Sequence, residues 1–75
     1  MNLTQLQTEL KELWEGSGYS VKSMINFLKN SNLFGWEEPF NDAYPIIFYG
    51  EVDNKHIVIT VTLSGYEILE KLRNL

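Results

Sequence analysis

Leu3, Leu6, Leu10 and Leu13 recur at steps of three and four along the opening segment, the spacing that lines one face of a helix. Asn2 stands where its side-chain oxygen accepts from the orphan N–H groups of a first turn. Trp14 widens the apolar stripe, and Gly16-Ser17-Gly18 closes it. A second helix follows. Ser20 is its N-cap, Val21, Met24, Ile25 and Leu28 carry the helical period with Phe27 beside them, and Asn30-Ser31-Asn32 stops it, because asparagine tolerates the left-handed conformation of a C-terminal cap. Leu33 and Phe34 fold back towards the core. Residues 35–45 read as a loop, with Gly35, Pro39 and Pro45 as breakers and Asn41-Asp42 as a turn.

The period then changes. Ile46–Val52 and Lys55–Leu63 are rich in β-branched and aromatic residues, and Asp53-Asn54 between them supplies two residues able to take positive φ. With that pair as the loop, Ile46 faces Val61, Phe48 faces Ile59 and Gly50 faces Ile57 on one apolar face. On the other face Ile47 meets Thr60, Tyr49 meets Val58, and Glu51 meets His56. After the hairpin, Ser64-Gly65-Tyr66-Glu67 has the spacing of a capping box, and Leu63 with Ile68 that of a hydrophobic staple. Ile68, Leu72 and Leu75 then form a stripe, and Glu67 and Lys71 an i,i+4 pair. These signals predict a final helix. The expected fold is α+β in one small domain, residues 1–75: two N-terminal helices, a β-hairpin and a C-terminal helix.

Within this pattern, Leu3 to Leu13, a turn, and Ser20-Val21-Lys22-Ser23-Met24-Ile25-Asn26-Phe27-Leu28 resemble the helix-turn-helix of winged-helix regulators. Leu33-Phe34 stands at the exit of the second helix, residues 46–63 stand where the wing stands, and Val61-Thr62-Leu63-Ser64-Gly65-Tyr66-Glu67-Ile68-Leu69-Glu70-Lys71-Leu72 is similar to the junction between wing and last helix. The family's usual first helix is lacking, and the second helix carries no arginine. The resemblance implies a transcriptional regulator that reads DNA with Ser20, Lys22, Ser23, Asn26 and Lys29 and sets Lys55 at the wing tip. On the bland reading, these residues are the solvated face of an ordinary helix.

Charge tells against a nucleic-acid partner. The net charge is −4. Residues 1–36 balance, residues 37–54 hold Glu37, Glu38, Asp42, Glu51 and Asp53 with no base, and residues 55–75 carry one excess positive charge. A phosphate backbone is repelled by the middle zone. In that zone Trp36, Phe40 and Tyr44 alternate with the acids, so residues 34–44 are a candidate docking segment for a basic protein surface, or a lid that plugs a small core. The outer hairpin face, with Ile47, Tyr49 and Val58, is a second candidate, unless the last helix or the 34–44 segment covers it. The leucine stripe of the first helix is either core or a dimer seam.

The remaining chemistry is thin. His56 is the one histidine and there is no cysteine, so no zinc set is expected, and no EF-hand spacing offers a calcium site. No serine elbow, P-loop or dinucleotide fingerprint is present, and no catalytic residue, cofactor or small-molecule substrate is expected. Absence of cysteine in so short a domain points to the cytoplasm, and no signal peptide or membrane span is read from the chain. The leading expectation is a small adaptor or inhibitor, of the kind mobile elements carry. It acts through Trp36, Glu37, Glu38, Phe40, Asp42, Tyr44, Ile47, Tyr49 and Val58 on a protein partner, with a second copy of the chain as a further candidate.

Overall fold

In the computed structural model, residues 1–40 and 43–71 are described. Two helices, α1 (Leu3–Gly16) and α2 (Val21–Asn30), precede four strands: β1 (Phe34–Glu37), β2 (Ile46–Val52), β3 (Lys55–Thr62) and β4 (Gly65–Lys71). The strands form one antiparallel sheet in the order β1-β2-β3-β4. The α+β class holds.

The helices form where the sequence signals them. Asn2 caps α1 by accepting from the Gln5 N–H at 2.8 Å, and Gln5 Oε1 accepts from the Asn2 N–H at 2.9 Å, a complete capping box. Gly18 (φ 72°) and Tyr19 (φ 64°) turn the chain after it. Ser20 caps α2 through the Ser23 N–H, and Asn32 (φ 61°) follows its end in the left-handed region.

Strand alternation sets the two faces of the sheet. Phe34, Ile46, Phe48, Val52, Ile57, Ile59 and Val61 are buried on one face, together with Leu6, Leu10, Met24, Ile25 and Leu28 from the helices. Both helices therefore lie on that face. The leucine stripe of α1 is core: Leu6 and Leu10 are fully buried, and Leu3 and Leu13 pack against the same cluster. It offers no dimer seam.

The β2–β3 pairing matches the expected register at every position named above. Asp53 and Asn54 take φ 55° and 62°, the two positive values that a type I′ turn needs.

Two expectations are corrected. Residues 35–37, placed in a loop on the strength of Gly35 and Pro39, join the buried Phe34 in β1. Residues 65–71 are strand, so the C-terminal helix is absent there and the winged-helix resemblance loses its last element; Leu72 and Leu75 lie outside the described residues. Ser64 caps no helix and sits in the β3–β4 turn, where its N–H donates to Thr62 Oγ1 at 3.3 Å. The physical reason is the open edge of β3. The N–H and C=O groups of His56, Val58, Thr60 and Thr62 need partners, and β4 supplies them while placing Tyr66 and Ile68 against the core. In strand geometry Glu67 and Lys71 stand about 13 Å apart, so the expected i,i+4 pair does not form.

Candidate functional site: the open face of the sheet

With both helices on one side, the other side of the sheet carries no second layer among the described residues. Its side chains fall into cross-strand rows fixed by the register. One row runs Gly35, Tyr49, Val58, Leu69; the row beside it runs Glu37, Ile47, Thr60, Glu67; on the other flank stand Glu51, His56 and Lys71. Tyr49 and Leu69 are each 45% exposed, while Ile47 and Val58 are half-buried by their neighbours. The centre of the face is thus apolar and aromatic. Among the described residues its rim holds three carboxylates, Glu37, Glu51 and Glu67, against one ammonium, Lys71.

Gly35 shapes the centre. A Cβ there would stand 3.0 Å from Tyr49 Cε2 and 3.3 Å from its Cζ, so the glycine lets the Tyr49 ring lie across β1. A glycine inside a strand often marks such a close approach. Beside Tyr49 a shallow depression of about 680 Å³ is lined by Glu51, His56, Val58 and Lys71. The His56 Nε2 stands 3.7 Å from Glu51 Oε1, both half-exposed, the exposed cross-strand pair the hairpin register implies.

The 34–44 segment divides between the two sides. Glu37 belongs to the open face. Trp36 does not: it lies against Phe48, ring centroids 6.0 Å apart, on the side of the helices and 40% exposed. Lys29 of α2 sits over its ring at 5.3 Å and pairs with Glu38. Tyr44 packs against the core, and Phe40 is 93% exposed. Asp42, named with them, and the Asn41-Asp42 turn lie outside the described residues. The segment is therefore partly a lid, through Trp36 and Tyr44, and partly surface, through Glu37 and Phe40.

The candidate DNA-reading set is differently placed. Lys22 and Asn26 are exposed on α2. Ser20 is occupied as a cap and Ser23 as its partner. Lys29 is held by Glu38 and Trp36, and Lys55 pairs with Glu70 at 3.0 Å. Two of the three cations in this set thus already face a carboxylate.

Sequence reasoning missed Leu69, because it assigned residue 69 to a helix. The signal that finds it is the β3 register once β4 is seen as a strand. No group of three or more metal-binding side chains occurs among the described residues, and among them no helix is long and apolar enough to cross a membrane. Tyr66, on the helix side of β4, has its phenol pKa pushed above 10.0 by burial and then by the Glu15 carboxylate. Compared with protein-family models, curated proteins and solved structures, the chain matches none of them.

Proposed function

We propose that this chain is a non-enzymatic protein-interaction module, a small adaptor or inhibitor whose open sheet face docks a basic partner. The single observation behind this reading is the apolar row Tyr49–Val58–Leu69, with Ile47 beside it, left without a covering layer among the described residues and rimmed by Glu37, Glu51 and Glu67. Exposed apolar surface of this kind usually marks a binding site, and tyrosine is among the residues that anchor interfaces. A carboxylate rim favours partner lysine and arginine around an apolar centre. A cytoplasmic site of action belongs to the same proposal and rests on the absence of cysteine.

The alternative, a DNA reader, has weaker support because Lys29 and Lys55 are already paired. One titration separates the two. Isotope-labelled protein is followed by amide NMR while an alternating lysine–valine peptide, and separately a mixed-sequence DNA duplex, is added at low salt. Peptide-induced shifts along the Tyr49, Val58 and Leu69 row that fade with salt are the expected result. Shifts confined to residues 20–29 and 55 with DNA, and none with peptide, overturn it.

A further inference from the structure

The β4 strand ends the sheet, and its outer edge is unpaired among the described residues. The two-residue loops at Asp53-Asn54 and Leu63-Ser64 fix which backbone groups point there. In such a hairpin the residues flanking the loop exchange both hydrogen bonds, and the pairs alternate from there. Thr62 with Gly65, Thr60 with Glu67, Val58 with Leu69 and His56 with Lys71 are then the bonded pairs. The β2–β3 register gives the same phase, because it assigns Ile57, Ile59 and Val61 to β2. The N–H and C=O groups of Tyr66, Ile68 and Glu70 therefore face outwards from the edge. No proline or bulge interrupts the strand, and a long, regular open edge is a template for strand addition.

The side chains select what adds to it. Glu70 is paired within the chain, to Lys55. Glu67 and Lys71, exposed on the open face, make no ion pair among the described residues. Set a second β4 antiparallel to the first with the two-fold at Leu69. Glu67 of each copy then stands opposite Lys71 of the other, Leu69 meets Leu69, and Ile68 and Glu70 exchange four backbone hydrogen bonds across the seam. The Glu67–Lys71 contacts fall in non-hydrogen-bonded pairs, where Cα atoms approach to about 4.5 Å and side chains are closest. A two-fold at Ile68 would set Glu67 against Leu69 and Tyr66 against Glu70, with no compensating charge. Opposite-charge cross-strand pairs stabilise and like-charge pairs destabilise, so charge picks the first register.

We infer that the chain pairs with a second copy of itself along β4, in the register centred on Leu69. The product is one eight-stranded sheet with all helices on one side and a continuous open face on the other. It differs from a dimer through the leucine stripe of α1, which the core consumes.

Sedimentation velocity from micromolar to near-millimolar protein tests this. Glu67→Lys and Lys71→Glu each turn both seam pairs from attraction to repulsion, so each weakens self-association about tenfold or more. An equimolar mixture of the two associates as a heterodimer, and the variant carrying both changes regains the homodimer. A wild-type chain that stays monomeric throughout overturns the inference, as does a dimer that either single change leaves intact, since that dimer uses another surface. Hydrogen exchange on the wild-type chain decides the matter even if a variant fails to fold. The amides of Ile68 and Glu70 gain protection as concentration rises; no gain overturns the seam.

Discussion

The Leu3 N–H donates to the Asp53 carboxylate at 2.7 Å, joining the first turn of α1 to the tip of the β2–β3 hairpin across fifty residues of sequence. Leu3 follows the cap, so its N–H is one of the orphan donors of the helix start. A carboxylate at that end also meets the positive pole of the helix dipole. Asp53 thus has two roles, as the first positive-φ residue of the turn and as a staple between the layers. Asp53→Gly keeps the turn and deletes the acceptor, and should cost about 1 kcal/mol. Asp53→Asn keeps a side-chain oxygen and should cost less. Urea unfolding midpoints order the three chains; a glycine variant as stable as wild type would show that the staple contributes nothing.

Gly35 and Gly50, both inside strands, should respond very differently to a methyl group. A Cβ on Gly50 would stand 2.3 Å from the Leu33 carbonyl oxygen and 2.9 Å from Phe34 Cδ1. The first of these is backbone and cannot turn aside. Gly50→Ala should therefore cost about 3 kcal/mol, the upper range for overpacking. On Gly35 the nearest atoms belong to the Tyr49 ring, at 3.0 Å and beyond, and a ring on an open face can tilt. Gly35→Ala should cost about 1 kcal/mol while shifting the Tyr49 ring resonances. Thermal melts of both variants give the ordering directly.

Alkaline pH should loosen the fold through Tyr66. Burial and the Glu15 carboxylate both raise its pKa above the ordinary 10.0, so the folded chain holds the phenol proton after the unfolded chain has released it. The unfolded state then binds fewer protons, and stability falls as pH rises. The contribution is fully present below pH 10.0 and is lost as pH climbs through the folded value. Tyr66→Phe should flatten the stability curve in that window, and its phenolate absorbance titration should lose a phenol that ionises above 10.0. An unchanged alkaline slope in the variant would assign the effect to other groups.

Lys29 joins α2 to the sheet edge by two weak contacts, the Glu38 carboxylate and the face of Trp36. Both side chains of the ion pair are about a third exposed, so the charge term alone is small. Glu38→Gln should cost a few tenths of a kcal/mol, and less at high salt. Lys29→Ala also removes the cation over the ring and the stem that covers it, and should cost about 1 kcal/mol. Tryptophan emission should shift to the red in the second variant more than in the first. Equal effects would mean that Trp36 gains nothing from the lysine.

The central hairpin was legible because three local signals agree there: β-branched runs, a loop pair able to take positive φ, and an apolar face that only one register keeps together. The helix starts at Asn2 and Ser20 were legible for the same reason. The open face was legible in its middle strands, through Ile47, Tyr49 and Val58, and invisible at its edges. At β1, Gly35 reads as a breaker, whereas its function is to accommodate the Tyr49 ring. At β4, Ser64-Gly65-Tyr66-Glu67 spells a capping box, and the adjacent apolar pair Ile68-Leu69 hides the strand alternation. Leu69 is apolar yet faces outwards, so its burial could not announce it. What decides residues 65–71 is the unpaired edge of β3, a tertiary demand that outweighs local helix preference.

That contest between local and tertiary preference has a direct readout in amide hydrogen exchange. In a helix, successive interior amides all donate to carbonyls four residues back and are protected together. In β4 the bonded pairs alternate, so Glu67 and Leu69 donate to Thr60 and Val58, while Ile68 and Glu70 face the open edge. Dilute protein should therefore show slow exchange at Glu67 and Leu69 and fast exchange at Ile68 and Glu70. Substituting Thr62 or Ser64 should leave the pattern unchanged, because the edge of β3 rather than the turn imposes it. Uniform protection from Glu67 to Glu70 would restore the helix that the local sequence spells. It would also remove Leu69 from the open face and with it the seam through which two copies are inferred to join.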